Sequence, residues 1–137
     1  MAYWLMKAEP NDYTYDDLVR DGVAEWDGIH NHQAANNMRA MKKGDRAFFY
    51  RSLKDPAVVG IMEIAREAYD NPDDPKESFV LVDVKAVKPV VREVSLKEIK
   101  AEPKLQDMPL VRQSRLSISP VDDDAWRLIC EMAETAA

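Results

Sequence analysis

The sequence contains a single cysteine, two histidines and four glycines among its 137 residues, and it has no long apolar run. One cysteine excludes an intrachain disulfide and is typical of a reducing compartment. No apolar run approaches the ~20 residues that a transmembrane helix requires, so we expect no contact with a membrane. The first ten residues hold a short apolar stretch followed by Glu9, which is unlike a secretory signal. The sequence therefore predicts a cytoplasmic protein.

The chain also has fewer basic than acidic residues, and its formal net charge is −6. This excludes a general nucleic-acid coat protein, which needs a broad basic surface. The charge is unevenly distributed, since residues 26–66 carry seven Lys and Arg against four Asp and Glu, whereas 67–79 and 120–134 each carry five acidic residues and one basic residue. This pattern predicts a small basic mouth on an acidic body. An apolar fraction of 46% over this length is typical of one folded domain spanning 1–137.

Apolar periodicity predicts both strands and helices. Strands are expected at 3–8, at 46–50, at 57–68, at 79–91 and at 115–119, where Pro120 would end the last one. Helix starts are indicated by capping patterns at Thr14, Asn31, Ser95 and Asp122. This order predicts an α+β fold in which an antiparallel or mixed sheet curls into a small barrel with short helices at its ends.

Two patterns give finer expectations. In the strand at 57–68, alternation places Val59 and Ile61 on one face and Val58, Met62 and Ile64 near the other. Gly60 inside this strand predicts a bulge or the close approach of another group.

Around the first two helices, the same periodicity buries Leu18 and Val19 in the helix that starts at Thr14. It places Ile29, Ala34, Ala35, Met38 and Met41 on the apolar stripe of the helix that starts at Asn31. Lys42, Lys43 and Gly44 would end that second helix, with Gly44 as its C-cap.

The segment from Trp26 to Ser52 concentrates groups that can hold a flat, hydrogen-bonding ligand. Trp26 precedes a turn at Asp27-Gly28, and Asn31 and Gln33 begin the helix that follows. Small residues near that helix start leave its N-terminus open to an anion or a carbonyl oxygen. Each feature also has a plainer reading, because a tryptophan before a turn is commonly a core residue and amides at a helix start are commonly caps.

Support for catalysis in the sequence is weak. His30, His32, Glu9 and Glu63 are the best candidates for an enzyme acting on nucleotides or RNA. The two histidines are two residues apart, which on a helix points them in different directions, and no spacing resembles a zinc or nucleophile site. We therefore expect no enzyme, metal or cofactor, and we expect Cys130 to be an inert core thiol. A protein-interaction module remains an alternative.

Several long motifs resemble the EVE domain, a PUA-like family related to the YTH readers of methylated adenine. The motifs are Tyr-Trp-Leu-Met-Lys-Ala-Glu-Pro at 3–10, Trp-Asp-Gly-Ile-His-Asn-His-Gln-Ala-Ala-Asn-Asn-Met-Arg-Ala-Met-Lys-Lys-Gly-Asp at 26–45, Phe-Phe-Tyr-Arg-Ser at 48–52, Val-Gly-Ile-Met-Glu-Ile-Ala-Arg-Glu-Ala-Tyr at 59–69 and Arg-Leu-Ser-Ile-Ser-Pro at 115–120. Two positions depart from the family pattern, since Arg51 stands in place of a common His and Phe79 in place of a Trp. Both bear on which ligand is accepted.

The resemblance implies a PUA-like mixed β pseudo-barrel of five to six strands flanked by short helices. It also implies a monomer that binds DNA or RNA and receives a single modified nucleobase, such as a methylated or hydroxymethylated cytosine or a methylated adenine, in an aromatic-lined pocket. Trp26 would stack on the base, with Phe79 as a second wall. The base-binding residues that the resemblance implies are Trp26, Asn31, Gln33, Ala34, Asn36, Tyr50, Ser52 and Phe79, and the phosphate-binding residues are Lys7, Arg39, Arg51 and Arg115.

Overall fold

A computed structural model of the chain describes residues 1–27, 31–72 and 79–136. The strands in these ranges are β1 (Tyr3–Ala8), β2 (Val23–Trp26), β3 (Arg46–Arg51), β4 (Ala57–Asp70), β5 (Val80–Ser95) and β6 (Ile118–Val121). The helices are α1 (Tyr15–Asp21), α2 (His32–Ala40), α3 (Leu96–Ala101), α4 (Pro109–Arg112) and α5 (Asp123–Met132), with one 3₁₀ turn at Pro103–Leu105. None of these helices is long and apolar enough to cross a bilayer.

All six strands form one mixed sheet in the order β2-β5-β4-β3-β1-β6. The β1–β3 pair is parallel, and the other neighbouring pairs are antiparallel. The prediction of an α+β fold, with an antiparallel or mixed sheet flanked by short helices, is confirmed. The barrel is not closed by hydrogen bonds, because β2 and β6 are the two edges of the sheet in the described part of the chain.

The two faces of the sheet carry separate apolar cores. Alternate residues of β1 point to opposite sides, so that Met6 joins the core beneath α1 and α2 while Leu5 joins the core beneath α3 and α5. Phe49 and Phe48 of β3 divide in the same way. Both faces of the central strands are therefore covered, which explains their nearly continuous apolar sequence.

The long strand β4 is irregular at Gly60, where its register with both neighbours shifts. The prediction of a bulge or a close contact is confirmed in both senses, because the ring of Tyr15 lies directly against Gly60. The irregularity exchanges the faces of the residues before it. Val59 packs on the α2 side with Met62 and Ile64, whereas Val58 packs on the α5 side with Ile61. The predicted face assignment of Val58 and Val59 was therefore wrong.

The predicted helix starts are confirmed at Thr14, Asn31, Ser95 and Asp122, each of which accepts a hydrogen bond from a backbone N–H in the first turn of its helix. Two expectations about the end of α2 and one about burial in α1 were wrong. The C-cap of α2 is Met41, and Gly44 belongs to the next turn with φ +94°. Val19 is 54% exposed.

The last strand is also displaced. It runs from Ile118 to Val121 and contains Pro120, opposite Trp4. Because β6 is an edge strand, the missing N–H of a proline costs no ladder hydrogen bond on its outer side. Pro120 therefore lies inside the strand that it was expected to end.

Candidate functional site

A cleft with a volume of about 600 Å³ lies where β1, β2 and β3 end. Its described lining comes from the ends of these strands, from the turn before α1 and from the loop before β6. This volume is in the range of pockets that hold small organic ligands. The lining residues are Lys7, Ala8, Glu9, Asp12, Tyr13, Glu25, Trp26, Asp27, Ser52, Ser114, Arg115 and Ser117.

The parallel pairing of β1 and β3 creates this position. Ala8 is in register with Arg51, so the carboxyl ends of both strands lie side by side at the same end of the sheet. Ser52 then turns towards β1, and both its backbone N–H and its hydroxyl donate to the carbonyl oxygen of Ala8, at 2.9 Å and 3.0 Å. These bonds fix the Ser52 side chain at the floor of the cleft and leave its oxygen lone pairs available as acceptors.

Trp26 is both a core residue and a wall of the cleft. It ends β2 opposite Val82, and its indole packs edge-on against Phe49 with ring centroids 5.5 Å apart. Only 6% of its surface is exposed, and it is one of the residues that line the cleft. The plainer reading of Trp26 as a core residue is therefore confirmed, and its role as a stacking surface for a base stays a prediction.

Lys7 supplies a fixed positive charge. Its ammonium group donates to the carbonyl oxygen of Ser114 at 2.8 Å and lies 5.9 Å from the ring centroid of Tyr50. Burial lowers the pKa of Lys7 from its ordinary value. The lysine therefore lies at the inner side of the cleft and is held by the loop before β6.

Arg115, from the same loop, is exposed. Its guanidinium makes no hydrogen bond or ion pair with any residue in the described ranges. It is therefore available to an anionic ligand at the mouth of the cleft.

The other charged residues of the lining are all acidic, which contradicts the expected basic mouth. Four carboxylates, from Glu9, Asp12, Glu25 and Asp27, stand against the two cations. The surplus of Lys and Arg in residues 26–66 lies elsewhere on the surface. Carboxylates accept hydrogen bonds, so this cleft suits a ligand that presents N–H donors.

Tyr13 adds an aromatic ring to the lining. Its hydroxyl donates to Asp21 at 2.7 Å. Burial and this hydrogen bond raise the pKa of Tyr13 to about 12. The phenol is therefore neutral at physiological pH, and its orientation is set by α1.

The residues predicted at the start of α2 have other roles in the described structure. The side-chain oxygen of Asn31 accepts from the backbone N–H of Ala34 at 2.9 Å, so this donor is engaged in capping the helix. Gln33 is exposed, and the amide oxygen of Asn36 accepts from Arg39 at 2.8 Å. None of these residues is in the described lining of the cleft. Gly28, Ile29 and His30, which precede them, lie outside the described residues.

Three further predicted residues also lie away from the cleft lining. Arg51 is held in a two-point ion pair with Glu93, at 2.7 Å and 3.1 Å. Tyr50 is buried in the core on the α5 side. Phe79 packs against the core on the α2 side, with its ring 5.1 Å from the ring of His32.

The candidate catalytic residues are similarly separated. Glu63 is paired with Lys85 at 2.9 Å and with Arg46 at 3.5 Å, whereas Glu9 lies in the cleft. Cys130 is buried, and burial raises the pKa of its thiol to about 11. In the described ranges no three His, Cys, Asp or Glu side chains are grouped as metal ligands.

Of the twelve predicted site residues, the cleft brings together Trp26, Ser52, Lys7 and Arg115. Sequence reasoning missed Tyr13, Ser114, Ser117 and the acidic residues Asp12, Glu25 and Asp27 as site residues. In the loop before β6, the family motif at 115–120 pointed to Arg115 but not to Ser114 or Ser117. The only signal that groups this loop with Ser52 is that β1 lies between β3 and β6, which requires the sheet order.

Comparison with known proteins gives consistent results over the whole chain. The model of the EVE domain matches residues 2–132. Mouse thymocyte nuclear protein 1 is 36% identical over 169 residues, covering 97% of this chain and 74% of that protein. The NMR structure of a Rhodopseudomonas palustris protein is 47% identical, with a TM-score of 0.93, and covers 98% of this chain and 94% of that chain.

Two similar structures are complexes with nucleic acid. The crystal structure of human THYN1 in complex with DNA that contains 5-methylcytosine is 30% identical, with a TM-score of 0.91 and complete coverage of both chains. The YTH domain of Zygosaccharomyces rouxii MRB1 has a TM-score of 0.61 at 11% identity, covering 96% of this chain and 86% of that chain. At that identity the likeness shows the fold alone, and it confirms the expected structural relation to YTH domains.

Proposed function

Because the chain belongs to the EVE domain family, we propose that it is a non-catalytic nucleic-acid-binding module that recognises a modified nucleobase. The observation that carries the proposal is the cleft at the ends of β1, β2 and β3, with the Trp26 indole on its wall. Human THYN1, which has the same fold, forms a complex with DNA containing 5-methylcytosine. We infer that the cleft receives one base of this kind.

The lining suits a base that carries an exocyclic amino group. Carboxylates accept hydrogen bonds from the amino group of cytosine or adenine, and they repel the carbonyl oxygen that thymine has in its place. Four carboxylates line the described cleft. The proposed ligand is therefore an amino-bearing base, with 5-methylcytosine as the first example to test.

The two cations suit the chain that carries the base. Lys7 lies at the inner side of the cleft and Arg115 at its mouth, where a nucleotide's phosphates would pass. Two cations neutralise few phosphates, so base contacts must contribute a large share of the affinity. This balance favours a reader of single modified bases with little dependence on the flanking sequence.

A panel of three single-stranded oligonucleotides tests the proposal. The oligonucleotides are identical except for one central residue, which is 5-methylcytosine, cytosine or thymine. Cytosine lacks only the methyl group, and thymine has the methyl group but a carbonyl in place of the amino group. Fluorescence anisotropy should show the tightest binding with 5-methylcytosine and weaker binding with both others. Equal affinity for all three would refute recognition of a modified base of this class.

Two matched tryptophan variants test the position of the site. Trp26→Phe shortens the wall of the cleft, whereas Trp126→Phe makes the same change in the opposite core, where Trp126 is stacked between Tyr3 and Phe48. Phenylalanine retains an aromatic ring, so both variants should fold, and circular dichroism checks this. Only Trp26→Phe should weaken binding of the 5-methylcytosine oligonucleotide, by about 1 kcal/mol or more, since base stacking contributes about 1–3 kcal/mol. An equal effect of both variants would place the base elsewhere.

A further inference from the structure

The loop between β3 and β4 exposes a large apolar side chain in an unusual backbone conformation. Leu53 is 70% exposed, and its φ is +68°. Asp55, two residues later, also has a positive φ of +50°. Leucine rarely adopts this left-handed region, because its Cβ approaches the backbone carbonyl. Such conformations persist only where the surrounding structure enforces them, and they are concentrated at functional sites.

The surrounding structure holds this loop from both sides. The guanidinium of Arg51 donates to the carbonyl oxygen of Asp55 through Nε at 2.9 Å and through Nη2 at 2.8 Å. The same guanidinium is paired with Glu93 of β5, which anchors it to the sheet. On the other side, Ser52 donates two hydrogen bonds to Ala8. Leu53 is therefore carried at the tip of a loop whose two ends are fixed.

The place of Leu53 in the chain, next to the cleft lining, indicates a function for this loop. Ser52 is part of the cleft lining, and Leu53 is the next residue in the chain. An exposed leucine therefore follows directly after a residue of the cleft lining. Arg51, which the sequence assigned to phosphate binding, instead positions the loop through Asp55 and Glu93.

We propose that Leu53 is an apolar wedge that enters the base stack of duplex DNA when the neighbouring modified base is drawn into the cleft. A base inside a duplex cannot reach a concave pocket, so it must be flipped out of the stack, which costs unpairing and unstacking. Leucine is one of the side chains that proteins insert between bases for this purpose. A wedge needs an exposed apolar side chain on a rigid support, and the Leu53 loop provides both. This role rests on the proposed function of the cleft.

The test compares duplex and single-stranded probes that carry one 5-methylcytosine. Leu53→Ser removes the apolar side chain that follows Ser52. Val91→Ser is the matched control, since Val91 is 76% exposed and neither of its neighbours in the chain lines the cleft. Leu53→Ser should weaken duplex binding by about ten-fold or more, because part of the flipping cost is no longer offset. It should change single-strand binding by less than about two-fold, since no stack has to be opened. Val91→Ser should behave like the parent with both probes.

Leu53→Asn provides a second variant, for which misfolding is not expected to cause a loss of binding. Asparagine is compatible with a positive φ, so this variant should fold at least as well as the parent while losing the wedge. A fluorescent 2-aminopurine next to the 5-methylcytosine reports unstacking directly. The parent should increase its fluorescence in the duplex, and both Leu53 variants should increase it less.

The failure of this proposal is distinguishable from failure of the proposed function. One outcome is that the parent prefers 5-methylcytosine in single strands while Leu53→Ser and Leu53→Asn bind the duplex as tightly as the parent. This result refutes the wedge role of Leu53 and leaves the proposed function of the cleft supported. If both variants weaken duplex and single-strand binding equally, Leu53 contacts the ligand directly and the wedge is also refuted. If the parent shows no preference for 5-methylcytosine in either format, both proposals fall.

Discussion

The aromatic ring of Tyr15 lies directly against the α-carbon of Gly60, and its hydroxyl donates to the carbonyl oxygen of Ile61 at 2.7 Å. A β-carbon added at Gly60 would lie 2.3 Å from the tyrosine ring. The contact docks α1 onto the irregular part of β4. Because α1 begins just after the cleft residue Tyr13, this contact also supports one side of the cleft.

Gly60→Ala should destabilise the protein by about 1–3 kcal/mol, the usual cost of overpacking a core site. The ring must move away from its hydrogen bond with Ile61 to make room for the methyl group. Urea unfolding measures the effect. Adding Tyr15→Ala opens the space, so the same glycine substitution should cost less in that background. An additive double variant would show that the contact is not the cause.

A second prediction concerns Asp45, which is only 4% exposed. Its carboxylate accepts from the indole N–H of Trp4 at 3.0 Å and from the backbone N–H of Lys42 at 2.9 Å. The backbone N–H of Ala2 also donates to this carboxylate, at 3.2 Å. Asp45→Ala leaves these three donors without an acceptor, and each such donor that is buried costs about 1–3 kcal/mol. The free energy of unfolding should fall by about 3 kcal/mol. Trp4→Phe removes one donor, so Asp45→Ala should cost less in a Trp4→Phe background, and an unchanged cost would rule out the indole hydrogen bond.

A third prediction concerns acid stability. The hydrogen bond and ion pair with Arg51 lower the pKa of Glu93 below its ordinary value of 4.5. A carboxyl whose pKa is lowered on folding stabilises the protein above its unfolded pKa and loses this contribution as the pH falls through the folded value. Melting temperatures measured from about pH 6 to pH 3 should therefore fall more steeply for the parent than for Glu93→Gln. Arg51→Gln removes the partner and should flatten the curve similarly. Identical slopes in all three proteins would show that this pair does not contribute.

A fourth prediction uses salt to identify the phosphate contact. If Arg115 contacts one phosphate, Arg115→Ala should weaken binding and reduce the slope of log affinity against log salt by about 1. Arg127 is the control, because it is an exposed arginine of α5 that is paired with Asp124 outside the cleft. Arg127→Ala should leave the slope unchanged. A slope that changes equally in both variants would indicate only a general charge effect.

A fifth prediction concerns Cys130. Burial raises the pKa of its thiol to about 11, so the reactive thiolate is scarce at pH 8. Reaction with a thiol reagent should be slow in the folded protein and fast in urea, with one equivalent consumed. Fast reaction of the folded protein would show that α5 opens readily or that the thiol is activated.

Local features of this fold were predictable because they depend on neighbours in sequence. Thr14 caps α1 through the backbone three residues later, and Ser95 and Asp122 do the same for α3 and α5. The apolar stripe of α2 also followed from a spacing of three and four residues, and Ala34, Ala35 and Met38 are buried. The family motifs pointed to Trp26 and Ser52 as base-binding residues, and both line the cleft, although their role stays a prediction.

Predictions that needed contacts between distant residues failed more often. The faces of Val58 and Val59 were exchanged because one irregularity at Gly60 changes the alternation of the strand, and sequence shows where a bulge is favoured but not how it shifts the register. The phosphate role that the resemblance implies for Arg51 stays a prediction, and its ion pair with Glu93 could not be predicted because the two residues are 42 positions apart.

The sequence by itself determined the family, the helix starts, the strand-rich α+β class and the separation of apolar stripes from polar loops, since each of these is encoded within a few adjacent residues. Only the tertiary structure decided which groups line the cleft. The parallel pairing of β1 with β3 brings Lys7 and Ser52 to the same end of the sheet. The pairing of β1 with β6 adds the loop that carries Arg115. These groups come together through the order of strands in the sheet, which arises from packing two cores at once and is not written in any single segment.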